Sequence, residues 1–575
     1  MKITKVKINN FRCFDELELT PQKCHALIGE NGTGKTAVLE AINLATSPGG
    51  ASSKINEQDF NNADTKEELL IEVYFDTPFI LKVPDGYFTR DIPCNGVKLS
   101  AHRRNRAAPG RALSQQFVVA QSAIPVPYEA TNPPILNLRS GVTVDIPAYV
   151  RKTEDGYRTT RKNGNELELS ERTLSLQNDT AGYPNVFYFP KDREKESKTG
   201  FSTLLRKIAT DLNWRYRTKW NQAEIVRKWE EFYREVIDTV EDTKGRRIVE
   251  PVRNRMRDFV GRNFDGLELS FLDLEQPFSK SFFSQRTGTN VLEQSNLGSG
   301  VSILLSYFLL ETVSLLSKEE IIILIDEPEL HLHPQLQQRF LSAFNEAEHQ
   351  VIYTTQSDCF VDIAEWQSIS RFCNDYSVKP EQAVLDTVLG GQKISKHLDE
   401  IKKWHQQKMI FFREDNQLFF AKKVILVEGP AEKYGLPVIS KVMGLDLDDA
   451  TILSCNGKAK VPYYQLLCKS FGIPYYTLID LDGKAEADAE NKRIVDSAAT
   501  GAISKLSTSF ETLLGIGATV EHKASKTLTK IDGLNTASIP QEIKDTAVAI
   551  STWSSQSQAT CSTLPGVNLG PMEGI

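Results

Sequence analysis

The sequence predicts an α/β protein with two parallel-sheet units, one toward each end of the chain. Near the N-terminus, a Gly-rich loop at 29–36 follows a predicted strand and precedes the predicted helix TAVLEAINLAT. Near the C-terminus, residues 424–483 alternate strand, helix, strand, helix and strand. Between them, the uninterrupted apolar segment IIILI at 321–325 is typical of a strand inside a parallel sheet that is covered on both faces. These three observations carry the fold prediction.

Length and composition are those of a large globular chain. Its 575 residues exceed what one hydrophobic core organises, so roughly three or four domains are expected. Hydrophobic residues make up 40% and charged residues 25%, and no apolar run reaches the roughly 20 residues that span a bilayer. The N-terminus lacks an apolar signal-peptide core, and the eight cysteines have no metal-ligand spacing. We therefore expect a cytoplasmic protein with no membrane partner.

The net charge of −7 excludes blanket coating of nucleic acid, but it allows binding through a local basic face. Arginines cluster in one loop, at Arg103, Arg104, Arg106 and Arg111. A basic loop suits contacts to DNA phosphates, which give affinity without sequence information. A solvated loop that neutralises nearby acids is the open alternative.

The Gly-rich loop matches GxxxxGK[ST] in the strand–loop–helix context that this motif requires. Asn31, Gly32 and Gly34 belong to the part whose backbone N–H groups surround phosphates. Lys35 is expected to reach the β- and γ-phosphates, and the Thr36 hydroxyl is expected to ligate Mg²⁺. The sequence therefore predicts ATP binding here.

An acidic pair, Asp326 and Glu327, ends the apolar strand IIILI. Asp326 is expected to hold Mg²⁺ through water. Glu327 is placed to orient or deprotonate the water that attacks the γ-phosphate. With the phosphate loop, the pair predicts an ATPase.

The surrounding sequence resembles the ABC-type ATPases of recombination and chromosome maintenance. The resemblance rests on the segment LGSG at 297–300, on PELHLHP after the acidic pair, and on NFRCF at 10–14. It implies that Ser299 contacts ATP held by the opposite protomer, and therefore a dimer of ATPase heads. It also implies a Q-loop role for Gln58, for which a plain surface role remains open.

Two positions depart from that ABC-type pattern. Gly298 stands where a serine is usual, and Gln356 stands where the group has histidine. A neutral amide can hydrogen-bond the γ-phosphate or water, but it cannot act as an acid or a base. We therefore expect slow hydrolysis, with ATP serving as a conformational clamp.

Carboxylates also end two strands of the C-terminal unit. Glu428 follows VILV, with Glu432 one helical turn onward, and Asp480 and Asp482 follow YTLI. Open α/β sheets bind ligands at these strand ends. The alternate spacing predicts that Asp480 and Asp482 point to the same face and share hard cations through oxygen. Two Mg²⁺ ions there could activate a water and stabilise the leaving oxygen of a phosphodiester.

This arrangement resembles the Rossmann-like Toprim domain of topoisomerases, bacterial primases and some nucleases. An ABC-type ATPase followed by Toprim resembles the OLD (overcoming lysogenization defect) family of endonucleases, an architecture shared with the Gabija nuclease subunit and some retron-associated effectors. The resemblance implies DNA cleavage with Mg²⁺ or Mn²⁺ on the four carboxylates. It also implies a later Glu and Lys, matched by Glu511 and by Lys526 or Lys523, with a surface role for the lysine left open.

The expected fold is an ABC-type ATPase head with a helical insertion, followed by a Toprim domain. The expected domains are the split head at 1–201 and 286–385, a dimerising helical insertion at 202–285, a connector at 386–419, and the Toprim nuclease domain at 420–575. The expected function is an ATP-regulated, divalent-metal-dependent DNA endonuclease of bacterial anti-phage defence. The alternative is a non-cleaving ATP-dependent DNA clamp or sensor, and the intact carboxylate set favours the enzyme. The identity of any defence-system partner protein or reverse-transcribed DNA stays open.

Overall fold

A computed structural model describes most of the chain, and the structural statements below concern that part. The described residues are 1–47, 55–85, 88–104, 117–127, 150–154, 156–160, 166–176, 180–191, 246–260, 266–270, 282–287, 290–293, 299–317, 320–373, 376–378, 388–389, 392–393, 395–396, 399–400, 403, 413–447, 450–485, 488–498, 502–517 and 523–556.

The chain divides into two compact units. The first comprises Met1–Leu27 and Asn31–Phe360, and the second comprises Ile28–Glu30 and Val361–Ile575. Both contain strands and helices, as the α/β prediction requires.

Helices and strands are numbered in chain order. The α-helices are α1 (Lys35–Thr46), α2 (Arg246–Val260), α3 (Ser299–Ser317), α4 (Pro334–Glu346), α5 (Arg413–Asn416), α6 (Pro430–Val442), α7 (Val461–Ser470), α8 (Ala489–Ser497), α9 (Phe510–Leu513), α10 (Lys523–Ile531) and α11 (Gln541–Gln556). The strands are β1 (Ile3–Phe11), β2 (Phe14–Leu19), β3 (Cys24–Gly29), β4 (Leu69–Asp85), β5 (Phe88–Arg103), β6 (Phe117–Pro125), β7 (Val150–Thr153), β8 (Gly156–Thr160), β9 (Glu166–Leu169), β10 (Thr180–Ala181), β11 (Asn185–Phe189), β12 (Gly266–Ser270), β13 (Phe282–Thr287), β14 (Asn290–Glu293), β15 (Ile321–Ile325), β16 (Gln350–Thr354), β17 (Ile369–Cys373), β18 (Tyr376–Val378), β19 (Val388–Leu389), β20 (Gln392–Lys393), β21 (Lys423–Val427), β22 (Ala450–Ser454), β23 (Tyr475–Asp480) and β24 (Ile503–Leu506).

The first unit packs α1 against two sheets. One sheet is antiparallel in the order β2-β1-β4-β5-β6. In the other, β11, β15, β16 and β3 pair in parallel in that order. Every residue of β15 and of β16 is buried, which agrees with the uninterrupted apolar sequence of β15. Since α1 contacts β4 as well as β11, the helix after the phosphate loop is fixed from both sides.

The second unit is built on a parallel sheet in the order β22-β21-β23-β24. Strands β21 and β23 are buried along their whole length. Helix α6 packs with α10 and α11, and α7 packs on β21 and α8. This order places the carboxyl ends of β21 and β23 side by side, where the sequence predicts the carboxylate site.

The structure changes one expectation and describes one stretch for which no secondary structure was predicted. Within the predicted helical insertion at 202–285, α2 is helical, but β12 and the start of β13 belong to an antiparallel sheet with β14; residues 202–245 lie outside the described residues. The C-terminal stretch from 535, for which the sequence made no prediction, contains α11. Among the described residues, no helix is both long and apolar enough to cross a bilayer.

Candidate functional site

The phosphate loop contains two glycines with backbone conformations that other residues rarely adopt, and at Gly34 a side chain would also clash. Gly32 and Gly34 have φ values of 83° and 89°, in the left-handed region that favours glycine. A Cβ atom at Gly34 would lie 2.5 Å from the ring of Phe14. Lys35, the first residue of α1, is buried; burial lowers its pKa, and the carboxylates Glu327 and Asp326 oppose that shift. The loop therefore presents a buried cation next to a helix N-terminus, as phosphate binding requires.

Thr36 and Asp326, the two residues predicted to serve Mg²⁺, are in contact. The Thr36 hydroxyl lies 3.0 Å from each Asp326 carboxylate oxygen. Thr354, at the end of β16, also donates its hydroxyl to Asp326. Burial raises the pKa of Asp326, and these two hydroxyl bonds lower it. The parallel pairing of β15 with β16 brings Thr354 here, and no local sequence pattern predicts this contact.

Glu327 is fixed by a lysine and by Gln356. Its Oε2 lies 2.7 Å from Lys191 Nζ, and its Oε1 accepts from Gln356 Nε2 at 2.6 Å. Its backbone N–H donates to the Thr354 hydroxyl at 2.9 Å, and its φ is 46°. A left-handed φ is uncommon for a residue with a side chain and is found at functional sites. Gln356, which stands where the ABC-type ATPases usually have histidine, therefore contacts Glu327 directly.

Sequence reasoning missed Lys191. It lies two residues after β11, and β11 pairs in parallel with β15 so that Phe189 is opposite Ile325. Both strands therefore end at the same edge of the sheet, next to the acidic pair. The signal available was a lysine just after the strand NVFYF, but the sequence does not say which strand lies beside β15.

Two residues predicted to contact ATP, Gln58 and Ser299, have no described side-chain contact with the nucleotide site. Gln58 is exposed, and its backbone N–H donates to Asn56 Oδ1. Ser299 begins α3, but its side chain and residues 294–298 lie outside the described residues. A Cβ atom at Gly300 would lie 2.6 Å from the carbonyl oxygen of His331, so α3 begins against the PELHLHP segment. The roles of Gln58 and Ser299 stay predictions.

In the second unit, Glu432, Asp480 and Glu511 form a cluster whose ligand oxygens lie within 4.8 Å of one another. Glu432 and Glu511 lie in the first turns of α6 and α9, and Asp480 ends β23. Asp480 is 5% exposed; its Oδ2 accepts from the Phe510 N–H at 3.2 Å, but its buried Oδ1 has no hydrogen-bond partner. A buried carboxylate oxygen without a partner is unfavourable, and oxygen clusters of this kind suit hard divalent cations.

The pKa values of three carboxyl groups in this region are raised well above their ordinary values. Burial raises the pKa of Asp480 to about 8, and the neighbouring carboxylates Glu432 and Glu428 add to the rise. Burial is also the main reason that the pKa of Glu432 and that of Glu428 rise to about 7. Perturbed carboxylates at strand ends are candidates for a functional site. A bound divalent cation would favour their ionised forms.

Glu428 and Asp482 are arranged around a different group, Lys458. Glu428 Oε1 accepts from the Asp480 N–H at 2.8 Å. Lys458 Nζ lies 3.1 Å from Asp482 Oδ2 and 3.9 Å from Glu428 Oε1, and it donates to the Asp480 carbonyl oxygen. The prediction that Asp480 and Asp482 share one face is wrong, because β23 ends at Asp480 and Asp482 is an exposed turn residue with φ 54°. The role of Asp482 as a metal ligand stays a prediction.

Lys458 is thus the lysine that contacts carboxylates of this site. Lys526 is an exposed residue of α10, and the side chain of Lys523 lies outside the described residues. Lys458 follows β22, at the carboxyl end of a strand that pairs with β21. The NGK segment was visible in the sequence, but the contact depends on the strand order β22-β21-β23.

The basic loop is described only at its start. Arg103, the last residue of β5, and Arg104 are exposed. Arg106 and Arg111 lie outside the described residues. Their contact with DNA stays a prediction.

Family models match both units. The model described as "Overcoming lysogenization defect protein-like, TOPRIM domain" matches residues 419–482. The model described as "AAA ATPase domain" matches residues 1–168, and another AAA-domain model matches residues 151–362. These matches cover the phosphate loop, the acidic pair, Glu428, and the segment with Asp480 and Asp482.

One known nuclease is similar to this chain over most of its length, and another is similar over a shorter segment. The OLD nuclease of Thermus scotoductus is 24% identical over 563 residues, covering 91% of this chain and 93% of that protein. The Old nuclease of Escherichia phage P2 is 25% identical over 174 residues, covering 29% and 28% of the two chains. Among solved structures, the Smc head bound to the C-terminal winged-helix domain of ScpA gives a TM-score of 0.36 at 13% identity, covering 66% of this chain and 96% of that one.

The N-terminal ATPase domain and the C-terminal TOPRIM domain occur together and in the expected order. Their site motifs fall within the segments that the family models match. In both of its domains and in their order, the chain therefore resembles the OLD family of nucleases.

Proposed function

We propose that this chain is an ATP-regulated, divalent-metal-dependent DNA endonuclease. The observation that carries the proposal is the cluster of Glu432, Asp480 and Glu511, in which a buried Asp480 oxygen lacks a hydrogen-bond partner. The match to a TOPRIM domain and the full-length relative named OLD nuclease support the same activity.

The carboxylates would bind the cations, with Mg²⁺ or Mn²⁺ as the expected ions. A divalent cation in such a site lowers the pKa of bound water and neutralises charge on a phosphodiester. Asp480, Glu432 and Glu511 supply oxygens from three different elements. The hydrogen bond from the Asp480 N–H to Glu428 fixes the orientation of a fourth carboxylate beside them.

ATP is proposed to regulate this nuclease from the first unit. Lys35 and Thr36 are placed for the phosphates and for Mg²⁺, and Glu327 is placed to orient the attacking water. Since Gln356, not histidine, contacts Glu327, we propose slow hydrolysis and a long-lived ATP state. Ser299 would contact ATP bound to a second copy, which makes the active form a dimer of heads.

DNA is proposed to bind mainly through its backbone, with Arg103 and Arg104 at the start of the basic loop as contacts. We further propose that the enzyme acts in the cytoplasm of a bacterium, in defence against phage. The resemblance to OLD proteins supports this setting.

Incubation with supercoiled plasmid tests the nuclease directly. Wild type, Asp480→Ala and Asp496→Ala are compared with Mg²⁺ or Mn²⁺, with and without ATP; Asp496 is an exposed acid on α8 and serves as the matched control. We expect wild type and Asp496→Ala to cut the plasmid, and Asp480→Ala to leave it intact. Equal plasmid survival with wild type and Asp480→Ala would refute the proposed nuclease site and leave the non-cleaving clamp as the better interpretation.

A further inference from the structure

The carboxylates of the second unit fall into two groups with different cationic surroundings. Glu432, Asp480 and Glu511 share a small space, and among the described residues no ion pair reaches them. Glu428 and Asp482, by contrast, both lie within 4.0 Å of the Lys458 ammonium, at 3.9 and 3.1 Å. The negative charge of Glu432, Asp480 and Glu511 is therefore neutralised only if a cation binds there. Glu428 and Asp482 already lie beside the Lys458 ammonium.

Lys458 is held in place by the loop that carries it. Gly457 has a φ of 126° and its N–H donates to the Glu428 carbonyl oxygen at 2.9 Å. Asn456, just before it, also has a positive φ, of 53°. The two unusual conformations turn the chain back over the end of β21, so that the Lys458 side chain is only 11% exposed. Its three N–H donors face the Asp480 carbonyl oxygen and the two carboxylates.

A divalent ion cannot share this position with the ammonium. Mg²⁺ requires oxygen ligands at about 2.0–2.1 Å, and an ion bridging Glu428 and Asp482 at that distance would overlap or strongly repel Lys458 Nζ. At the first group, the described contact of Lys458 is with the Asp480 backbone carbonyl oxygen and not with the carboxylate oxygens that would bind the ion. The two positions should therefore differ in affinity for the same ion.

We propose that Lys458 is a built-in cation of the carboxylate site, and that a second divalent ion must displace it from between Glu428 and Asp482. The first ion binds at Glu432, Asp480 and Glu511, where no displacement is needed. This inference rests on the proposed function, since it presupposes a metal at that first group. It makes the loading of the site sequential, with Lys458 as a positioning residue for the metal-free form.

Binding of Mn²⁺ to the full chain, without DNA or ATP, tests the inference by titration calorimetry and by electron paramagnetic resonance of the free ion. We expect wild type to bind one ion and to bind a second much more weakly. Lys458→Met, which keeps the side-chain length but removes the charge, should tighten the second step by at least about tenfold and leave the first nearly unchanged. Lys484→Met is the matched control, because Lys484 is exposed and lies two residues after Asp482.

Lys458→Arg separates loss of charge from disturbance of the loop. The Arg variant should retain the weak second step of wild type. Equal affinities for two ions in wild type, no tightening in Lys458→Met, or the same tightening in Lys458→Arg would each overturn the inference. Far-ultraviolet circular dichroism and thermal unfolding establish that the variants are folded.

The Asp480→Ala variant separates this inference from the proposed function. If Asp480→Ala binds Mn²⁺ as wild type does, the metal site at the first group is wrong. If Asp480→Ala loses the first ion while Lys458→Met changes nothing, the metal site stands and only the role of Lys458 is refuted.

Discussion

The nucleotide site and the carboxylate site differ in how their charges are satisfied. In the first, Asp326 accepts from two threonine hydroxyls, and Glu327 is held by a lysine and a glutamine. In the second, Asp480 keeps an unpartnered buried oxygen, and burial raises the pKa of three carboxyl groups. The charged groups of the nucleotide site are therefore held by partners within the chain, whereas those of the carboxylate site are offset only in part, by Lys458.

This difference has a physical consequence for variants. Removing a group from a site that is already organised should change the rate of reaction, because the geometry of the remaining groups is disturbed. Removing a buried carboxylate from the carboxylate site should also raise the free energy of unfolding at a pH where that group is ionised, because a buried charge is unfavourable.

Replacing Glu327 with glutamine should have the largest effect. We expect ATP turnover to fall by roughly 10²–10⁴-fold, because the amide can still accept and donate hydrogen bonds but cannot take a proton from water. ATP should remain bound, as measured by filter binding. Glu346→Gln, at an exposed position at the end of α4, is the control; normal turnover in Glu327→Gln would remove Glu327 from the reaction.

Replacing Lys191 with methionine should have an intermediate effect on the same site. The ion pair with Lys191 fixes the Glu327 carboxylate, and its loss should lower turnover by roughly 10- to 100-fold through misplacement of that group. Lys191→Arg should restore much of the rate, and Lys66→Met, which changes an exposed lysine, should have no effect. Steady-state turnover that is equal in Lys191→Met and wild type would show that the pair is incidental.

Replacing Gln356 with histidine should raise turnover severalfold. Gln356 contacts Glu327 at 2.6 Å, and an imidazole at this position can exchange a proton near neutral pH, which the amide cannot. The gain should appear in the turnover number, with little change in ATP affinity. A histidine variant slower than wild type would mean that the amide is adapted to this site, and our explanation of slow hydrolysis would be wrong.

The carboxylate site should make the stability of the metal-free protein depend on pH. The pKa of Asp480 is about 8 in the folded chain against an ordinary value of 3.8, so the folded state binds a proton that the unfolded state releases between these values. The stability that the protonated Asp480 contributes should therefore be fully present below about pH 4 and should be lost as the pH rises toward 8. Asp480→Asn cannot titrate, so it should flatten this dependence and raise the melting temperature at pH 8.

Thermal unfolding in a chelator from pH 5.5 to 8.5 measures that dependence, and each kcal/mol recovered should appear as roughly 2–4 °C. Lys66→Met, at an exposed lysine outside both sites, is a control variant that should leave the slope unchanged. Equal slopes in wild type and Asp480→Asn would contradict the raised pKa and with it the contrast between the two sites.

Much of both sites follows from local sequence. The glycines around Lys35, the apolar strand before Asp326, and the strands before Glu428 and Asp480 are signals within a few residues of the group that they position. The rule of alternation failed at Asp482 because it assumes that the strand continues, and β23 ends two residues earlier. The helical insertion predicted at 202–285 also contains β12, which pairs with β13 and lies beyond the segment whose periodicity is helical.

The phosphate loop, the acidic pair and the strand-end carboxylates can be recognised from sequence alone, because each lies in a short contiguous segment. Which lysine contacts each acid depends on the tertiary structure. Lys191 meets Glu327 because β11 lies beside β15, and Lys458 meets Glu428 and Asp482 because β21 lies between β22 and β23. Strand order is a property of the whole packed sheet, and no local pattern of residues specifies it.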